Sequence, residues 1–352
     1  MKREVLNHLV IVVLSVSVVF MSCNKDDDNF YNPQKKDVYV AGSESNAQDK
    51  SVAKLWKNGI AQNLTDGTCN AVANSVFISG GDVYVVGYEY DTQDKSVAKL
   101  WKNGKAQNLT DGTYDAEAYS IFVSGSDVYV AGFEASGQEH PEWYGTYNRY
   151  VAKLWKNGVA QNLTDGTFEA KANSVYVSDG DVYVVGYERR GEYGYYYAKL
   201  WKNGIVENIS NNNSIAYSVF VSGNNVYAAG WDAVYQSAAV WTNNVSQILA
   251  TGSMQTSFYA KSVYVSGGDV YVVGNSSFAY HSMASWYALF WKNGENISSN
   301  YGASAYSVCV TDNDVYVAGH QSGIGATIWK NGIAQELSKI SYSSANSVFV
   351  VE

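Results

Sequence analysis

Residues 74–109 read NSVFISGGDVYVVGYEYDTQDKSVAKLWKNGKAQNL. Four short runs rich in Val, Tyr, Phe and Trp stand out: Asn74 to Ser79, Asp82 to Gly87, Val97 to Lys102 and Lys105 to Leu109. Such runs, bounded by Gly, Asn and Asp, read as β-strands. Gly80-Gly81 joins the first pair. Asn103-Gly104 joins the last, the strongest short-range hairpin signal. Asp111-Gly112 ends the unit and turns the chain inward. Apolar side chains on both faces fit a four-stranded sheet held between two others, about 10 Å away on each side.

Working outward, the unit recurs. Val-Tyr-Val/Ala-Val/Ala-Gly has its tyrosine at Tyr39, Tyr84, Tyr129, Tyr183, Tyr227, Tyr271 and Tyr316. The motif around Lys-Leu-Trp-Lys-Asn-Gly has its tryptophan at Trp56, Trp101, Trp155, Trp201, Trp241, Trp291 and Trp329, at spacings from 38 to 54 residues. A Ser-Val-Phe/Tyr-Val-Ser motif begins at Ser75, Ser120, Ser174, Ser218, Ser262, Ser307 and Ser347. Seven all-β repeats of irregular length predict a seven-bladed β-propeller of four-stranded blades over residues 37–352. The first repeat starts at Asp37 with a second strand, and the last consists of a first strand alone. The C-terminal strand is therefore expected to join the first blade and close the ring, which would cover an open sheet edge.

This pattern resembles the propeller superfamily across residues 37–352 but none of its named subfamilies. No Trp-Asp dipeptide closes each blade as in WD40 repeats. No Ser-x-Asp-x-Gly-x-Thr-Trp box marks a sialidase, and Gly87, Gly132 and Gly186 are single where kelch repeats have a pair. The fold alone names no function.

The N-terminus is a targeting segment. Lys2 and Arg3 precede an apolar run, Leu9 to Phe20, too short to span a bilayer. Phe20-Met21-Ser22-Cys23 resembles a bacterial lipobox, which implies a signal peptide over residues 1–22 and lipidation of Cys23. Asn24-Lys25-Asp26-Asp27-Asp28 resembles the surface-export signal of Bacteroidota-type lipoproteins. That resemblance implies an outer-membrane protein, anchored to the membrane by its lipid and exposed at the cell surface. Residues 23–36 read as an acidic, flexible tether.

The net charge of −9, without basic clusters, argues against nucleic acid as a partner. Cys69 and Cys309 occupy positions where sibling repeats carry aromatics (Tyr114 and Phe168; Phe77 and Tyr176) and read as small buried hydrophobes; a bridge between them is the alternative. Glu44, Glu89, Glu134, Glu188 and Asp232 follow the second strands. Lys54, Lys99, Lys153 and Lys199 occur in the blades that carry the glutamates, and acid and base are lost together in blades six and seven. Cross-strand ion pairing is the expectation, ahead of a metal site. The Thr-Asp-Gly-Thr segments at Asp66, Asp111 and Asp165 read as turn formers. No metal or cofactor is expected.

Variation concentrates in the connections between strands two and three. Blade three has a long insert, Ala135 to Tyr150, with His140, Trp143, Tyr144 and Tyr147. Blade four offers Arg189, Arg190, Tyr195 and Tyr196, blade five Trp231 and Tyr235, and blade six Tyr280, His281 and Trp286. These form an expected aromatic arc on one rim, suited to gripping a glycan or a protein. The bland alternative is that long loops pack their aromatics on one another. A polysaccharide lyase or hydrolase using His140, Glu142, Arg189, Arg190, His281 and His320, or a structural subunit of an outer-membrane assembly, are the other readings.

Overall fold

A computed structural model describes residues 36–142, 145–190, 194–280, 283–340 and 342–351. The predicted signal peptide, Cys23 and all of the tether except Lys36 lie outside them. The described residues form twenty-eight strands in seven four-stranded sheets, with a strand order that repeats in every blade. In blade two the order is β4 (Ala71–Ser79), β5 (Asp82–Tyr90), β6 (Ser96–Lys102) and β7 (Lys105–Asn108). Blade one combines β28 (Ser343–Val351) with β1 (Asp37–Ser45), β2 (Ser51–Lys57) and β3 (Ile60–Asn63). The C-terminal strand thus closes the ring, with Tyr39 opposite Phe349 and Val40 opposite Val348.

The innermost strands are β4, β8 (Ala116–Ser124), β12 (Ala170–Ser178), β16 (Ser214–Ser222), β20 (Thr256–Ser266), β24 (Ala303–Thr311) and β28. Each touches the next around a central channel. The Ser-Val-Phe/Tyr motif of these strands has two jobs. Its serine hydroxyl accepts a hydrogen bond from a backbone N–H of the following blade. Ser75 accepts from Ile121 at 3.4 Å, Ser120 from Val175 at 3.2 Å, and so on to Ser347, which accepts from Val76 at 3.3 Å. The innermost strand has a sheet partner on one side only, and the serine satisfies an N–H on its other edge. Two residues on, Phe349, Phe77, Phe122, Tyr176, Phe220 and Tyr264 form a collar of six rings with neighbouring centroids 4.7–4.8 Å apart; buried Cys309 takes the seventh place.

The other two motifs meet at the hairpin rim. Lys102 pairs with Asp82 at 2.7 Å and lies over the Tyr84 ring, while Asn103 donates to Asp82 and accepts from Val83 N–H. The same clamp recurs in every blade but five, where Asn243 donates to Asn225. Asn103 and Gly104 both have positive φ, as the Asn-Gly hairpin requires. Each strand-three tryptophan packs against the preceding blade: Trp101 is fully buried among Tyr39, Ala53 and Leu55 of blade one.

The chain enters at the hairpin rim. Lys36 pairs with Asp312 and donates to the Thr311 carbonyl in the turn region of blade seven, and β1 then runs away from that rim. Neither described cysteine forms a disulfide. Cys309 is buried as expected, whereas Cys69 is only half-buried, because it sits in an interblade connection rather than a core strand.

Candidate functional site: the loop rim and the channel mouth

The connections between strands two and three all leave the rim opposite the hairpins. Three of them are hairpins rather than loops, which corrects the reading of the blade-three insert. There β9 (Asp127–Glu142) pairs with β10 (Gly145–Lys156), placing His140 opposite Tyr147. In blade four β13 (Asp181–Arg190) pairs with β14 (Tyr195–Lys202), placing Arg189 opposite Tyr196 and Arg190 opposite Tyr195. In blade six β21 (Asp269–Tyr280) pairs with β22 (Met283–Lys292), placing Ser277 opposite Trp286. The polar and aromatic insert residues continue the ladder instead of leaving it, because their backbone groups find partners on the opposite arm.

Blade five differs. Its β17 (Asn225–Asp232) and β18 (Ser237–Thr242) are joined by a single 3₁₀ turn, Val234–Gln236, leaving a notch between the hairpins of blades four and six. Tyr235 stands in that notch, 72% exposed. Its backbone is left-handed, with φ of 57°, and so is that of Gln236, with φ of 52°. Two successive non-glycine residues in this region store backbone strain of about 1–3 kcal/mol each. Tyr195 and Trp286 are also exposed on the flanking hairpins. Tyr287, next to Trp286 and edge-on to Tyr301 at 5.3 Å, adds to this surface. Tyr301 did not stand out in the sequence, and only the register of β22 against its outer neighbour brings it to Tyr287.

The remaining candidates take other places. Arg189 pairs with Glu169 at 3.5 Å, and Arg190 pairs with Glu188 and lies over the Phe168 ring. Tyr196 packs edge-on against Tyr187. Trp231 lies opposite Ile215 of the innermost strand, half-buried, on the channel side of blade five. Trp143, Tyr144 and His281 lie outside the described residues, as do the side chains of His140, Tyr147 and Tyr280. His320 is engaged with the closing strand, its Nδ1 2.9 Å from the Ser343 carbonyl oxygen.

The carboxylates after strand two form the expected ion pairs: Glu44 with Lys54 at 3.4 Å, Glu89 with Lys99 at 3.0 Å, Glu134 with Lys153 at 2.7 Å and Glu188 with Lys199 at 3.7 Å. They are diagonal. Lys99 stands opposite Gly87, and its ammonium crosses the bare glycine to reach Glu89. In blade five Asp232 faces Ser237, and its Oδ1 accepts from Val234 N–H, so it supports the 3₁₀ turn. Among the described residues no cluster of His, Cys, Asp and Glu could hold a metal ion. Asp66, Asp111 and Asp165 each accept from the backbone N–H of the threonine two residues on, as turn formers do. Reversing one pair, Glu89→Lys with Lys99→Glu, should cost less than either single change, with a coupling of about 1 kcal/mol in urea unfolding. A double variant no more stable than the worse single one would show that the pair contributes nothing.

Below the rim, the half-buried residues of the innermost strands line the channel mouth. Glu117, Tyr119 and Lys171 form one cluster there. Lys171 donates to the Tyr119 hydroxyl at 3.2 Å and lies 4.0 Å from the Phe133 ring centroid and 4.5 Å from that of Tyr150. Burial raises the Glu117 carboxyl and lowers the Lys171 ammonium from their ordinary values, and each charge partly offsets the other's shift. Across the channel, Lys261 lies over the rings of Tyr217 at 3.7 Å and Tyr259 at 5.1 Å.

With this geometry described, the chain can be compared with known proteins. No protein-family model matches the sequence, and no curated protein matches it. The fold does match solved structures. A puromycin-hydrolyzing peptidase from Mycobacterium tuberculosis superposes with a TM-score of 0.56 at 13% identity, over 86% of this chain and 52% of that one. A puromycin hydrolase gives 0.56 at 9% identity, over 87% and 52%. The chain thus spans about half the length of these enzymes. At such identities the likeness is one of propeller fold.

Proposed function

We propose that this protein is a lipid-anchored, surface-exposed binding module that grips a glycan or a protein on its loop rim. The notch over blade five carries the reading: an exposed tyrosine, Tyr235, is held in a strained backbone conformation between hairpins that present Tyr195 and Trp286. Strain of this kind persists where the surrounding structure enforces it, and it clusters at ligand clamps. Aromatic side chains with polar tips offer flat faces to sugar rings and large contact area to proteins. The opposite rim is built from one repeated Asp-Lys-Asn clamp, so it offers little beyond stability.

The test is a glycan-array screen of the wild-type protein against Tyr235→Ala and Trp286→Ala. Binding that is lost in both variants, with unchanged melting temperatures, is the expected result. A wild-type protein blank on every glycan would remove the sugar reading and leave a protein partner. Binding retained in both variants would remove the notch.

A further inference from the structure

The two lysines at the channel mouth are not equivalent. Lys171 has Glu117 and Glu169 as counter-charges and Tyr119 as a hydrogen-bond acceptor. Lys261 has none of these. It is half-buried in the channel wall, and desolvation alone pushes its ammonium down to about 8. Among the described residues no oxygen accepts a hydrogen bond from its Nζ and no carboxylate pairs with it; it lies over the faces of Tyr217 and Tyr259.

Its place in the ring sharpens the contrast. The corresponding positions in blades one, two and four hold Asn346, Asn74 and Asn173. Each donates its side-chain amide to a carbonyl of the next blade, at 3.0, 2.9 and 2.8 Å, and so stitches the channel wall. Lys261 makes no such stitch. A half-buried cation without a counter-charge is disfavoured by desolvation, and the fold has an asparagine alternative at this position in three other blades. Tyr217 and Tyr306 hold the position of Lys261 in the two neighbouring blades, and Tyr259 stands two residues before it on the same strand.

We propose that the channel mouth is a second binding site, in which Lys261 takes the carboxylate of a small acidic sugar and the tyrosines around it take the ring. The choice of a sugar rests on the glycan reading of the rim; the carboxylate rests on the unpaired ammonium. Lys261 supplies a charge-assisted hydrogen bond, and tyrosine faces and hydroxyls suit a ring with one apolar face and a hydroxylated edge. An acidic residue at the end of a glycan held in the notch would reach the mouth from the same rim.

The test titrates the full-length protein with D-glucuronate, D-glucose and inorganic phosphate by calorimetry at pH 7, for wild type, Lys261→Met and Trp286→Ala. The expected result is glucuronate binding that is at least tenfold tighter than glucose or phosphate binding. It should weaken at least tenfold in Lys261→Met and persist in Trp286→Ala. Equal binding of glucose or phosphate, or full affinity in Lys261→Met, overturns the site, whereas loss of array binding in Trp286→Ala reports on the rim alone.

A second readout needs no ligand. Lys261→Met should melt higher than wild type at pH 7, and the gap should close towards pH 10. Between about 8 and 10.5 the unfolded chain binds the lysine proton and the folded chain does not, so wild-type stability gains with rising pH there. Equal melting temperatures at pH 7 would show that the ammonium has a counter-charge after all, which also overturns the proposal.

Discussion

Removal of residues 343–352 should lower the melting temperature of the whole propeller, not of blade one alone. Without β28, the first sheet loses its innermost strand and β1 loses its partner from Asp37 to Glu44. Val348 and Val350 leave a shared cluster with Val40 and Trp56 of blade one and Tyr316 and Ile328 of blade seven. Each fully buried valine is worth about 1.5–3 kcal/mol. Two stitches of the channel wall go as well, from Asn346 to the Ala73 carbonyl and from Val76 N–H to Ser347. A ring opened at one blade exposes both faces of the gap, so the loss spreads beyond the deleted strand. A synthetic peptide of residues 343–352 should restore the transition in trans by adding a strand to the open edge, and a scrambled peptide should not. An unchanged melting temperature in the truncated protein would overturn the closure argument.

Gly87→Ala should be among the most damaging single methyl additions to the ring. A Cβ there would lie 1.9 Å from the Val72 carbonyl oxygen and 3.0 Å from the Ala73 Cα, both backbone atoms of β4. Strand two passes the bulge of strand one so closely that only a hydrogen fits. The equivalent glycines, Gly42, Gly132, Gly186, Gly230, Gly274 and Gly319, face the same carbonyl at 1.8–2.0 Å. Relief requires the two strands to separate, which breaks the ladder and lifts Trp101 from its place against blade one. An overpacking cost of about 3 kcal/mol or more is expected, measurable as a lower urea midpoint. Gly80→Asp is the control. Gly80 has open space around it, and blade four already carries Asp179 there with φ of 52°. If Gly87→Ala unfolds no earlier than Gly80→Asp, the close approach of the strands is not what fixes this glycine.

The parts of this fold that were legible in the sequence are those in which one chemical device repeats. Tyr84, Trp101 and Asn103 mark each blade because Asp82, Lys102 and Asn103 form a clamp that recurs in every blade but five, where Asn225 and Thr242 replace the aspartate and the lysine. Strand ends were less legible. β4 begins at Ala71, three residues before the run that reads as a strand, because Ala71 and Ala73, which pack against blade one, are too small to read as strand residues. The blade-three insert reads as a loop from its glycines and its proline, yet Thr146 to Asn148 pair with Glu139 to Pro141. Pairing depends on the opposite arm, which local composition does not reveal.

The candidate site divides in the same way. Tyr235 and Trp286 were legible as aromatics in variable segments, and their exposure agrees with that reading. The arginines were legible only as charges; that Glu169 and Glu188 occupy them follows from neighbours brought together by the ring. Lys261 was not legible at all. It sits at a position filled by Asn, Tyr or Lys in different blades, and its lack of a counter-charge is a property of seven strands meeting at one axis.

The entry of the chain at Lys36 has a mechanical consequence. Any pull on the segment before it is delivered along the axis of β1, at the hairpin rim. β1 lies between β28 and β2 and is hydrogen-bonded to both. Those bonds run perpendicular to the strand, so tension loads both ladders in shear, all at once, instead of peeling them one by one. The C-terminal strand therefore also acts as a clasp on the mooring point.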